Sequence, residues 1–124
     1  MTNSMQTHGA FSWMELYSGD SAGAKAFYTG LLGWETEDMP MPDAVYTIIK
    51  NGEEKVAGFP PMQSDEARWL PYVTVDDVDA RIEKAKSLGA KVLSEPMTIP
   101  GVGRMATICD PVGGVIALIT YESM

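Results

Sequence analysis

Along this chain, stretches of alternating apolar and polar residues give way twice to a stretch with helical spacing. Residues 11–18 (FSWMELYS) alternate, with Trp13, Glu15 and Tyr17 on one face and Ser12, Met14 and Leu16 on the other, as in a half-buried strand. The period then changes. Asp20 and Ser21 offer a helix N-cap, Ala24, Phe27, Tyr28, Leu31 and Leu32 recur at helical spacing, and Gly33 can stop the helix. Strands are predicted at 34–38, 45–50 and 54–59, with a proline-broken loop at 39–43 and a hairpin turn at Asn51-Gly52. Pro60-Pro61 closes this half, and 62–68 (MQSDEAR) reads as a polar linker.

The second half repeats the order. Residues 69–75 (WLPYVTV) form a predicted strand, and Asp76-Asp77 opens a helix whose apolar face is Val78, Ile82, Ala85 and Leu88, ending at Gly89. A further strand begins at 90–93, and 96–103 reads as a loop. A hairpin ends the chain: 104–109 and 115–121 are apolar and β-branched, and Asp110, Pro111, Gly113 and Gly114 supply its turn. Two such strands are not stable alone and require further strands and a cover. An offset of 56, from Gly33 to Gly89, also places Asp20 on Asp76, Lys25 on Arg81 and Trp13 on Trp69. The pattern is an internal duplication within one domain spanning residues 1–124, with modules at about 11–61 and 69–121. Two copies are too few for a stacked repeat array.

The length of 124 residues suits a single domain, commonly roughly 100–150 residues. Acidic residues outnumber basic ones throughout, for a net charge of -8. That field disfavours nucleic acid and anionic membranes and modestly favours cationic small molecules, while also serving solubility. No apolar run approaches the ~20 residues that span a bilayer. The first ten residues lack the basic start and apolar core of a signal peptide, so a cytoplasmic protein is expected, with a frayed tail carrying a solvated His8. Cys109 is the only cysteine, which excludes an internal disulfide and a cysteine-based zinc cluster. A lone cysteine before a turn is more often a small buried apolar residue than a nucleophile.

Several motifs occur in a fixed order: the first strand, Gly19-Asp20, Ala26-Phe27-Tyr28, Leu32-Gly33-Trp34, then Val75-Asp76-Asp77, Leu88-Gly89 and Asp110-Pro111-x-Gly113. In this order and spacing they resemble the vicinal oxygen chelate superfamily, which includes glyoxalase I, extradiol dioxygenases and bleomycin-resistance proteins. The resemblance covers about residues 11–121. It implies an α+β fold of two βαβββ modules, whose strands curl into a mixed-sheet cup around one cavity with the helices outside, often within a homodimer. Enzymes of that family hold a divalent metal in the cup through histidine and carboxylate side chains. Here the family ligand positions fall on Trp13 or Met14, on Leu70 or Trp69, on Ala117, and near Gly58. None of these is a ligand. Glu15 is left as the one carboxylate expected inside the cup, so no metal and no other cofactor is expected.

The reactive candidates are Glu15, Tyr17, Tyr72, Thr107 and Cys109. On an apolar wall Glu15 would hold a proton more readily and could act as a general base, or it could meet a ligand cation. At a strand edge it would instead pair with Arg104 or solvent. Trp13, Trp69, Tyr17 and Tyr72 could stack on a flat or cationic ligand, although aromatic residues at alternating strand positions are more often core. The expected ligand-binding set is therefore Trp13, Glu15, Tyr17, Trp69, Tyr72 and Thr107, with residues 99–103 (IPGVG) as a candidate lid. Two function classes remain open. One is a metal-free protein that captures a cationic or aromatic small molecule. The other is an enzyme of the superfamily, a lyase or isomerase using Glu15 as base, or a glyoxalase or dioxygenase relative with shifted ligands. The lack of histidine in the body of the chain favours binding. A homodimer is expected from the resemblance and from the exposed edges of an unclosed sheet.

Overall fold

The computed structural model describes residues 3–41, 44–61 and 66–122. After a short 3-10 turn at Ser4–Gln6 come β1 (Phe11–Tyr17), α1 (Ser21–Leu32), β2 (Glu35–Met41), β3 (Ala44–Asn51) and β4 (Glu54–Phe59). The same order then recurs as β5 (Arg68–Thr74), α2 (Val78–Ser87), β6 (Lys91–Ile99), β7 (Gly103–Cys109) and β8 (Val115–Tyr121). The fold class is α+β. Contacts group the chain into one unit at Trp13–Leu70 and another made of Met1–Ser12 with Pro71–Met124.

In the unit Trp13–Leu70 the strands run β2-β3-β4-β1, with β1 parallel to β4 and the other pairs antiparallel. Leu16, Ile49, Ala57 and Phe59 form its core, and Met14, Ala24, Tyr28, Trp34 and Trp69 pack against them. The Asp20 carboxylate accepts the Gly23 N–H at 2.8 Å and starts α1. Gly33, at φ 72°, stops it as predicted. The β3–β4 turn lies one residue further on than predicted. Asn51 pairs with Glu54, so Gly52 and Glu53 form the loop, and Gly52 takes the positive φ that a tight hairpin needs. β2 also continues through Met39 and Pro40, where a loop was predicted, because an outer strand tolerates a missing N–H. Pro42, Asp43 and residues 62–65 of the predicted linker lie outside the described residues.

In the other unit the order is β5-β8-β7-β6, with β5 parallel to β8. Val75, Val78, Ile82, Ala106 and Ile108 form the core around α2, whose N-cap Asp77 accepts the Ala80 N–H. Leu88, predicted on the apolar face of this helix, is 66% exposed because the helix ends at Ser87. Pro96 does not end β6. It sits at a shift of register between Ser94 and Met97 on the outer strand. The predicted lid is a pinned turn: Ile99 pairs with Gly103, and Val102 bonds through its backbone to Ile99 and Glu122 at 3.0 and 2.9 Å. In the final hairpin Asp110 Oδ1 accepts the N–H groups of Val112 and Gly114, each at 2.9 Å, and these bonds hold its carboxyl below the usual range.

Residues 8–10 are docked rather than frayed. Gly9 and Ala10 exchange backbone bonds with Thr74, and His8 Nδ1 accepts the Asp76 N–H at 3.1 Å. Among the described residues, no helix is long and apolar enough to cross a membrane.

Candidate functional site

Alternation along β1 sends Met14 and Leu16 into the core beneath α1 and leaves Trp13, Glu15 and Tyr17 on the opposite face. β4 and β3 lie beside it, with Gly58 paired to both Glu15 and Ile48, so Tyr46, two residues before Ile48, shares that face. The tyrosine covers Gly58, and a methyl group at position 58 would run into its ring and hydroxyl. From there the Tyr46 O–H donates to Glu15 Oε2 at 2.7 Å, and the Tyr17 O–H donates to Oε1 at 3.0 Å. Trp13 Nε1–H completes the chain by donating to the Tyr46 oxygen at 2.9 Å.

Glu15 is 8% exposed. A carboxylate removed from water to that extent is tolerated only when strong donors replace the lost hydration, and here both of its oxygens accept tyrosine hydroxyls. Burial first, then the charge of Glu15 and the bond to it, push the Tyr46 hydroxyl far above its ordinary range. Tyr46 therefore stays a donor. It was absent from the sequence-predicted set, although a glycine inside a strand, as at Gly58, signals a close approach by another group.

Trp13, Glu15 and Tyr17 are brought together, but Trp69 is not with them. It lies in the core beneath α1, with ring centroids 5.5 Å from Tyr28 and 6.5 Å from Phe59. The reason is one residue of register. The helix caps Asp20 and Asp77 are 57 apart, not 56. At that offset Trp13 corresponds to Leu70 and Glu15 to Tyr72, and a shift of one turns a strand residue to the other face. Tyr72 and Thr107 lie in the other unit, in a row on either side of Ala117 and on the face away from α2. Tyr72 is 3% exposed and its hydroxyl reaches Met105 Sδ at 3.8 Å. Arg104 holds Asp79 with two bonds, at 2.6 and 2.9 Å, and is not the partner of Glu15. The half-buried Cys109 thiol contacts the Asp110 carbonyl.

The residues at the family metal positions do not fit a divalent ion. Trp13 and Leu70 carry no ligand atom, Ala117 is fully buried, and Gly58 is covered by Tyr46. Among the described residues, no three His, Cys, Asp or Glu side chains come together. An open recess of about 300 Å³ in the other unit is lined by Asp76, Asp79, Arg104 and Glu122 among others. Two of its carboxylates are already engaged, Asp79 by Arg104 and Asp76 by Arg81 at 2.9 and 3.0 Å. Glu15, not this recess, is the organised group.

Comparison with known proteins adds the following. The family model described as Glyoxalase/Bleomycin resistance protein/Dioxygenase superfamily matches residues 10–118. "Putative glyoxylase CFP32" of Mycobacterium bovis is 36% identical over 117 residues, covering 89% of this chain and 45% of that protein. "Anthracycline biosynthesis protein DnrV" of Streptomyces peucetius is 33% identical over 127 residues, covering 89% and 46%. The chain thus spans about half the length of these curated relatives. The solved methylmalonyl-CoA epimerase from Mycobacterium tuberculosis has a TM-score of 0.65 at 15% identity, covering 95% of this chain and 92% of that one. A homoprotocatechuate 2,3-dioxygenase variant from B. fuscum reaches 0.66 at 19% identity, covering 91% and 32%. At those identities the likeness is one of fold alone.

Proposed function

Because the chain belongs to the glyoxalase/bleomycin resistance protein/dioxygenase superfamily, we propose that it is a cytoplasmic, metal-free member that binds a planar, cationic small molecule against Trp13, Glu15 and Tyr17. The observation that carries this is the buried Glu15 carboxylate held by the hydroxyls of Tyr17 and Tyr46. Hydroxyl donors fix the position of both carboxylate oxygens. A cation approaching beside the indole gains from both the charge and the ring face. The relative named for anthracycline biosynthesis supports the ligand class, since an anthracycline glycoside joins a planar ring system to an ammonium group.

The second reading is an isomerase or lyase with Glu15 as base, and the relative named as a glyoxylase favours it.

The test is a fluorescence titration with an amino-sugar anthracycline and with its neutral aglycone. Glu15→Gln is expected to weaken the glycoside roughly tenfold, about 1.4 kcal/mol, and to leave the aglycone nearly unchanged. Equal loss for both, or binding of neither, contradicts the proposal. One equivalent of nickel, zinc, manganese or iron retained after dialysis contradicts its metal-free part.

A further inference from the structure

Trp13 and Glu15 are neighbours on one face of β1, and a single side chain from another strand joins them. Tyr46 starts on β3 and lies across Gly58 of β4 to reach β1, following the strand order β3-β4-β1. Its oxygen accepts the Trp13 indole N–H at 2.9 Å, and its own hydrogen goes to Glu15 Oε2 at 2.7 Å. One hydroxyl thus spends both of its roles, acceptor and donor, on the two groups that the functional reading assigns to the flat and the charged part of a ligand. Resting on that reading, we propose that Tyr46 is a positioning residue of the site. Acting through its two partners, its hydroxyl sets the plane of the Trp13 ring against the Glu15 carboxylate, so that ring and cation are read at one fixed spacing.

The indole needs such a tether. A tryptophan side chain on a strand face turns about two bonds, and the cost of fixing them falls on a ligand that stacks there unless the protein has fixed them beforehand. The indole has one N–H, and binding it at Tyr46 sets the direction of the ring as well as its place. That bond is strengthened from its far end. Donation to a carboxylate polarises the hydroxyl and makes its oxygen a better acceptor for the indole. Burial, with the charge of Glu15, keeps the proton on Tyr46, so the chain of bonds keeps its direction. The place of the hydroxyl is itself specified by the sequence, because a Cβ at position 58 would run into it.

Isothermal titration calorimetry of the full chain with an amino-sugar anthracycline and with its neutral aglycone tests this. Glu15→Gln keeps an oxygen for the Tyr46 hydroxyl and removes the charge, so its loss falls on the glycoside. Tyr46→Phe keeps the charge and releases the indole, so it should weaken the aglycone as well, by roughly fivefold. Gly58→Ala retains every polar group but displaces the hydroxyl, and it should reproduce that loss even if Tyr46→Phe does not fold. A purely structural role would lower the melting temperature and leave the affinity of the folded protein as it was. Without ligand, the Trp13 indole ¹⁵N–¹H resonance should move and its proton exchange faster in both variants. A Trp13 resonance that stays in place overturns the inference. So does an aglycone affinity that neither variant changes while Glu15→Gln still weakens the glycoside, a result that leaves the functional reading standing. Binding of neither ligand to wild type removes that reading and the inference with it.

Discussion

Glu15 keeps its place through two tyrosines that contact it directly, Tyr17 and Tyr46, and a glycine that makes room for the second. Tyr46 supplies the shorter hydroxyl bond, at 2.7 Å, and Gly58 leaves space for its ring. Tyr46→Phe keeps the ring and removes the donor from a buried carboxylate, so it should cost about 1.5–3 kcal/mol by urea denaturation. Gly58→Ala should cost about 1–3 kcal/mol by overpacking, and most of that cost should vanish when Tyr46 is also Ala. A Gly58→Ala penalty that is the same in both backgrounds would show that the two residues are not coupled. Much of this site was legible in the sequence, because alternation over 11–18 put Trp13, Glu15 and Tyr17 on one face. Tyr46 was not, since a tyrosine on a strand reads as core until its neighbour's missing side chain is noticed.

At the scale of elements, the start of α2 is held by charge. The Arg81 guanidinium beside Asp76 holds that carboxyl at about 2, below its ordinary 3.8. A carboxyl lowered on folding stabilises the fold fully above its unfolded value and loses that contribution as pH falls through the folded one. Stability is therefore expected to fall between pH 3.8 and about 2. Arg81→Gln should flatten that part of the curve, and an unchanged acid limb would contradict the assignment. The existence and type of each element followed from period and caps, but the misplaced boundaries share a cause. Pro40 and Pro96 read as breakers, yet both lie on outer strands, where no neighbour asks for their N–H. Aligning the duplication at its glycines puts Trp69 on the wrong face, because that offset is one residue short of the one that relates the strands and caps.

For the whole molecule, the repeat of strand, helix and three strands was enough to reach the family, because order and spacing survive when individual residues do not. The same departures from the family pattern are what turn the functional reading away from a metal and toward Glu15. The chain has three indoles, and they report on different places: Trp13 donates its N–H within the Glu15 network, while Trp34 and Trp69 pack in the core beneath α1. The most direct measurement is thus a ¹⁵N–¹H spectrum of the indole region during titration with an amino-sugar anthracycline. The account predicts that the Trp13 resonance moves and saturates, that Trp34 and Trp69 stay nearly still, and that Glu15→Gln removes most of the shift. A saturating titration in which Trp13 does not move, or in which Trp34 or Trp69 moves instead, would contradict it.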